Sequence, residues 1–141
     1  FGQTFEIENI DFGYLPETGT YNAIIDIPAE IEVLESDAIL VYRLEINDGI
    51  ETWSLIPQNF FLEQGTIQYV YNHTATDVEL IIDGNFDLST LSPDFTQDQV
   101  FRFVVVPSDF ATTSGVDVSN YEAVMSALDI QESEIPQLDL K

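Results

Sequence analysis

The sequence predicts an all-β, mainly antiparallel fold: a β-sandwich of about seven strands with one short C-terminal helix packed on it. Three observations carry this. Apolar and polar residues alternate over short runs, the period of a strand with one buried face. The runs recur at hairpin spacing, with Gly, Pro, Asn and Asp between them. A single stretch, late in the chain, has helical periodicity, so it adds one helix to a β fold. The reading treats residues 1–141 as one domain, long enough to bury its own core.

Thr4 to Tyr14 (TFEIENIDFGY) opens the chain as a strand. Phe5 and Ile7 share a face, then the phase shifts and Ile10, Phe12 and Tyr14 share one, which predicts a bulge near Glu8-Asn9. Leu15-Pro16-Glu17-Thr18-Gly19 is a turn, and Tyr21 to Ile27 forms the next strand, ended by Pro28 because proline cannot donate to a ladder. Ile31 and Val33 suit a short edge segment.

The central element is Ala38 to Ile56, two apolar runs around Asn47-Asp48-Gly49. A two-residue Asp48-Gly49 loop places Leu44 opposite Trp53 and Tyr42 opposite Leu55, stacking the apolar residues on one face. A three-residue loop would set Glu45 against Glu51, and like charges directly opposite are unfavourable. Asp-Gly also supplies the positive φ angles of a type I′ turn.

Phe60-Phe61-Leu62 follows Pro57 as a short apolar piece, with a turn at Glu63-Gln64-Gly65. Ile67, Tyr69 and Tyr71 then alternate, as do Val78, Leu80 and Ile82. A four-residue loop from His73 to Thr76 would pair Tyr71 with Val78, Tyr69 with Leu80 and Ile67 with Ile82, keeping both apolar faces together. Asp83 to Gln99 is a long connection with room for one helical turn near Leu88 to Leu91. Val100 to Val106 is the most apolar strand, with Phe101, Phe103 and Val105 on one face, Arg102 on the other, and Pro107 as its stop.

The helix spans about 120–128. Ser119 and Glu122 form a capping box ahead of it. Tyr121, Val124, Met125 and Leu128 fall at i, i+3, i+4 and i+7, an apolar stripe that can lie on a sheet. The acidic tail, 129–141, has Leu138 and Leu140 as a short strand or a frayed end.

Twenty-six acids against Arg43, Arg102 and Lys141 give a net charge of −23. Such a chain is repelled by nucleic-acid phosphates and by anionic lipid, so neither is expected as a direct partner. No apolar run is long enough to cross a bilayer. With no cysteine there is no disulfide, thiolate metal site or cysteine nucleophile. The chain begins at Phe1 without a visible signal peptide and reads as a processed or truncated piece.

Motifs that carry chemistry are sparse. Leu15 to Gly19 spells the sortase pentapeptide, but it sits near the N-terminus with no apolar span or basic residues behind it, so it reads as a turn. Asp83, Asn85 and Asp87 place oxygen side chains at alternate positions, the chemistry calcium needs, and are the candidate metal ligands. The familiar calcium loop would have glycine at its sixth position and glutamate at its twelfth; here these are Leu88 and Asp94. His73, the single histidine, is expected in a loop, and no Gly-x-Ser-x-Gly elbow accompanies it. Asn72-His73-Thr74 is formally a glycosylation sequon. No phosphate-cradling glycine loop is present. Trp53 and the six tyrosines suit sugar stacking, but Trp53 shares its face with Leu44 and Leu55 and reads as core. No catalytic residue is assigned and no cofactor other than calcium is suggested.

WSLIPQNFF (Trp53 to Phe61), YVYNHTATDVELIIDG (Tyr69 to Gly84), FRFVVVPSDF (Phe101 to Phe110) and DVSNYEAVMSAL (Asp117 to Leu128) resemble uncharacterised cell-surface lipoproteins of Bacteroidetes-type bacteria. In that family a lipid-modified cysteine and a short collagen-like Gly-Pro stretch precede a domain like this one. The resemblance implies an extracellular or periplasmic location, a lipid anchor upstream, and no known activity. The expectation is therefore a non-enzymatic structural or interaction domain with a protein or glycan partner, the alternative being a carbohydrate- or calcium-binding module.

Overall fold

The computed structural model describes residues 3–140. The fold is mainly β, with ten strands rather than the seven expected: β1 (Gln3–Ile10), β2 (Gly13–Leu15), β3 (Thr20–Asp26), β4 (Asp37–Asn47), β5 (Ile50–Leu55), β6 (Gln58–Leu62), β7 (Gly65–His73), β8 (Asp77–Gly84), β9 (Gln99–Pro107) and β10 (Gln137–Asp139). Three helices accompany them, α1 (Pro93–Thr96), α2 (Phe110–Ser114) and α3 (Tyr121–Leu128). The strands form two five-stranded sheets, ordered β10-β1-β9-β4-β5 and β2-β3-β8-β7-β6. Pairing is antiparallel except between β1 and β10.

The central hairpin has the expected register. Leu44 lies opposite Trp53 and Tyr42 opposite Leu55, and Asp48 and Gly49 take φ angles of 53° and 79°. The bulge in β1 is also present: Ile7 faces Phe101 but Ile10 faces Gln99, and Asn9 has a φ of 57°. The stretch is nonetheless not one strand. Beyond the bulge the chain crosses to the other sheet, where β2 pairs with β3. The Phe12 amide is satisfied on the way by the Thr96 carbonyl at 2.7 Å.

The β7–β8 hairpin departs from the expected register by two residues. Tyr71 faces Leu80, Tyr69 faces Ile82 and Ile67 faces Gly84. The turn explains the slip. The Thr74 amide donates to the Asp77 carbonyl at 2.9 Å, and the Thr74 hydroxyl accepts from the amides of Thr76 and Asp77. The connection therefore closes more tightly than a four-residue loop, and His73 ends β7 instead of lying in a loop. An even shift returns every side chain to its own face, so the apolar pattern is blind to it.

Two apolar clusters result. Phe5, Ile7, Val41, Phe101 and Phe103 from the first sheet meet Ile25, Ile67, Tyr69, Leu80 and Ile82 from the second. Phe5 and Phe103 stack at 4.9 Å between ring centroids. The opposite face of the first sheet carries Tyr42, Val104 and Val106 beneath Tyr121, Val124 and Met125 of α3. The β9 strand is buried on both faces, which is why its sequence is almost continuously apolar. Trp53 is half-buried in this helix-side cluster, so its apolar face looks at α3 and not at the second sheet.

The α3 stripe is as expected, but the cap is Asn120, whose side-chain oxygen accepts from the Ala123 amide at 3.1 Å. Ser119 does not cap; its hydroxyl donates to Asp117 Oδ1 at 2.7 Å. Ile31 and Val33 form no strand and pack as half-buried residues of the segment after Pro28. The tail is held as β10, with the Glu6 amide donating to the Pro136 carbonyl at 2.9 Å.

Candidate functional site

Two of the three basic residues of the chain are buried in structural networks, and Lys141 lies outside the described residues. Arg102 points from β9 into the layer under α3. It donates to Glu6 at 2.8 Å, to Glu132 at 2.6 Å and to the Tyr121 hydroxyl, and lies over the Trp53 ring. Burial alone would lower its pKa; the bonds to Glu6 and Tyr121 and the Glu132 charge outweigh that and hold it above the ordinary arginine value. Arg43 projects from β4 toward the second sheet. It donates to Gln99 at 3.0 Å, pairs with Glu45 at 3.4 Å, and sits 4.7 Å from the Tyr69 ring centroid. It lines one wall of a cleft of about 360 Å³ with Glu45, Phe60 and Phe95, while the Gln58 amide group donates to Glu45.

The candidate site lies on the other side of the second sheet, on the face turned away from the core. Pleat and register assemble it. Asn59 of β6 faces Gln68 of β7, and Gln68 faces Asp83 of β8, giving one polar row across three strands. Phe61, two residues beyond Asn59 on the same face of edge strand β6, is 83% exposed and lies opposite Thr66. Beside it is a shallow groove of about 300 Å³ lined by Asn59, Thr66, Gln68, Asp83 and Asn85. Asn85 is fixed in place, since its side-chain oxygen accepts from the Thr66 amide at 2.8 Å.

Two glycines let the backbones behind the groove pack closely, Gly84 on the core face beside Ile67 and Leu88 and Gly65 against Asn85. A Cβ on Gly84 would stand 2.8 Å from the Thr66 carbonyl oxygen, and one on Gly65 would meet Asn85 Oδ1 at 2.2 Å. Strand glycines of this kind mark a close approach of neighbouring groups.

The groove offers side-chain amides that both donate and accept, a hydroxyl, and one carboxylate that accepts. Next to them is a flat aromatic ring exposed to solvent. Such a set matches a ligand with many hydroxyls on one side and an apolar C–H face on the other.

Of the residues singled out from sequence, Asp83 and Asn85 share this groove. Asp87 does not line it; it caps the 3₁₀ turn at Leu88–Thr90, accepting from the Ser89 hydroxyl at 2.6 Å and the Ser89 amide at 3.1 Å. Those two bonds hold its carboxyl below the usual range. Asp83 Oδ1 accepts from the Gly84 amide at 2.8 Å. Among the described residues no group of three or more His, Cys, Asp or Glu side chains is placed to hold a metal ion. Leu15 to Gly19 is a turn between β2 and β3, closed by the Gly19 amide on the Leu15 carbonyl at 2.8 Å. His73 Nδ1 lies 3.1 Å from the Thr74 carbonyl oxygen.

Asn59, Gln68 and Phe61 were not singled out from sequence. One signal pointed to Phe61: adjacent phenylalanines in a strand face opposite ways, so turning Phe60 inward sends Phe61 outward.

In comparison with known proteins, the chain matches no family model, no curated protein and no solved structure. Among the described residues, no helix is long and apolar enough to cross a membrane.

Proposed function

We propose that this chain is a non-enzymatic β-sandwich domain of a bacterial surface lipoprotein. It stands outside the cytoplasm on an anchor upstream and has an interaction role, with the open face of β6, β7 and β8 as a binding surface for a neutral glycan. The observation that carries the binding role is Phe61: a ring 83% exposed beside a row of side-chain amides. Its exposure does nothing for the core, and an uncharged edge strand with an exposed ring is otherwise an aggregation hazard. The net charge of −23 and the Asp83 carboxylate disfavour acidic polysaccharides and nucleic acids. Amides and aromatic rings bind uncharged hydroxyl-rich ligands without needing a buried charge. The resemblance of the chain to surface lipoproteins supports the location and the lipid anchor.

The test is affinity electrophoresis of the protein through gels holding single neutral polysaccharides, with an acidic one for comparison. At least one neutral polymer is expected to retard the protein. Phe61→Ala should abolish the retardation while leaving stability within about 0.5 kcal/mol, as for an exposed site. Retardation that persists undiminished in Phe61→Ala, or that occurs only with the acidic polymer, would remove this face from the proposal.

A further inference from the structure

The chain contains two Asp-Gly bonds, Asp48-Gly49 and Asp83-Gly84, and no Asn-Gly bond. At such a bond the glycine has no Cβ to shield its amide nitrogen from the aspartyl side chain. The fold holds the two copies of this dipeptide in opposite ways. Asp48 and Gly49 are the whole loop between β4 and β5, at φ angles of 53° and 79°. Residues 46–50 are all exposed, and a Cβ on Gly49 would meet nothing within 4 Å. Among the described residues no hydrogen bond holds the Asp48 carboxylate or the Gly49 amide. The left-handed conformation of Asp48 is itself disfavoured for a residue with a Cβ. Asp83 and Gly84, by contrast, lie within β8. Gly84 pairs with Ile67, and its amide donates to Asp83 Oδ1 at 2.8 Å. A Cβ there would stand 2.8 Å from the Thr66 carbonyl oxygen and 2.9 Å from Leu88 Cδ2, so this peptide cannot rotate without opening the end of the β7–β8 ladder.

We infer that Asp48 is a site of spontaneous modification, isomerising to isoaspartate in the folded protein, and that the fold protects the same dipeptide at Asp83. The Gly49 amide nitrogen attacks Asp48 Cγ. The N–Cγ bond forms, the carboxyl hydroxyl leaves as water with the amide proton, and a cyclic succinimide results. Water then adds back to either imide carbonyl. Breaking the N–Cγ bond restores aspartate. Breaking the bond from nitrogen to the α-carbonyl carbon leaves isoaspartate, whose main chain runs through Cβ and Cγ. Water is lost once and regained once, and no other reactant enters. Ring closure turns the Asp-Gly peptide out of its turn or strand orientation, so the rate follows how readily the segment opens. An exposed hairpin tip opens at small cost, whereas a packed strand end does not. The product lengthens the loop by one main-chain atom. Type I′ geometry suits a loop of two ordinary residues, so the added atom unseats the last pair, Asn47 with Ile50, and leaves Tyr42 with Leu55 in place. The site does not depend on what the open face of the second sheet binds.

The test incubates the full chain in warm, near-neutral buffer, folded in one arm and unfolded in urea in the other. Peptide mapping with electron-transfer fragmentation, which distinguishes the two linkages, follows each Asp-Gly bond over time. In the folded arm isoaspartate should accumulate at Asp48 at least about tenfold faster than at Asp83, the factor set by an opening cost that differs by about 1.4 kcal/mol. In urea the two bonds should react at similar rates, because nothing then holds Gly84. The isoaspartyl protein, separated by chromatography, should lose hydrogen-exchange protection at the Ile50 amide and keep it where Tyr42 pairs with Leu55. Equal rates at Asp48 and Asp83 in the folded arm, or an Asp48 that does not react while folded, would overturn the assignment. Unchanged Ile50 protection in the isoaspartyl protein would overturn the effect on the turn.

Discussion

The guanidinium of Arg102 lies 4.2 Å from the centre of the Trp53 ring. This contact ties edge strand β5 to central strand β9 across β4, under the cover of α3. The same guanidinium holds Glu6 on β1 and Glu132 on the C-terminal segment. One cation thus joins β1, β5, β9, α3 and the tail in a chain that has almost no cations to use.

Removing Arg102 should therefore be costly. Arg102→Met leaves the Glu6 carboxylate buried without its partner, and breaking a buried pair on one side typically costs ~3–5 kcal/mol. Glu6→Gln combined with Arg102→Met should recover part of that loss, because no charge is then stranded. Glu132 is 65% exposed at its side chain, so Glu132→Ala should cost under about 1 kcal/mol. Denaturant unfolding of the four proteins checks the set. A Glu132 effect as large as that of Arg102 would contradict the ranking.

Alkaline pH should unfold the protein through its tyrosines. Burial raises the phenol pKa of Tyr42, Tyr71 and Tyr121, and pushes that of Tyr69 up to about 12. These groups hold their protons more tightly folded than unfolded. Their contribution to stability is complete below the unfolded value near pH 10 and is lost as pH rises through the folded values. Stability should fall from about pH 10 upward, and phenolate absorbance in the native protein should lag that of the denatured chain. Coincident titrations in the two states would be inconsistent with these environments.

Gly84, which lies behind the groove on the core face of β8, makes a sharper test of geometry. Gly84→Ala puts a methyl 2.8 Å from a backbone carbonyl oxygen that cannot move aside as a side chain would. It should destabilise by about 1–3 kcal/mol, the usual cost of overpacking, and weaken glycan retention with it. Gly13→Ala, with no atom within 4 Å of the added Cβ, serves as the control and should leave both properties unchanged. Thermal melts and affinity electrophoresis read the two effects separately.

What the sequence made legible depended on whether local chemistry was unique. The Asp48-Gly49 turn and the Glu45 and Glu51 charges left one acceptable register, and the structure has it. The β7–β8 register was not legible, because two alignments differing by an even shift bury the same residues and the Thr74 hydroxyl decides between them. At α3 the Ser119–Glu122 capping box was the expected cap, but the Ser119 hydroxyl is taken by Asp117 and Asn120 caps the helix instead. For the candidate site, Asp83 and Asn85 drew notice, with Asp87, as oxygen side chains at alternate positions. Asn59, Gln68 and Phe61 did not, since they join those residues only through strand pairing from β6 to β8.

The last prediction separates charge screening from specific ion binding. With 26 acids and a net charge of −23, folding gathers like charges, so melting temperature should rise as sodium chloride is added from low ionic strength and level off once the Debye length falls below about 10 Å. Calcium and magnesium at matched ionic strength probe the acidic loops directly. Asp83, Asn85 and Asp87 each already accept a backbone amide hydrogen through a side-chain oxygen, and only the first two share the groove. A calcium site needs six to eight oxygens about one point, and Asp83 and Asn85 supply too few unless Asp87 turns from its Ser89 partners to join them. The two divalent ions are therefore expected to raise the melting temperature equally, and a chelator to have no effect beyond its own ionic strength. A rise specific to calcium, abolished in Asp83→Asn, would show that these side chains do turn, and would make the groove a calcium-dependent site in which the ion, and not the amide row alone, meets the ligand.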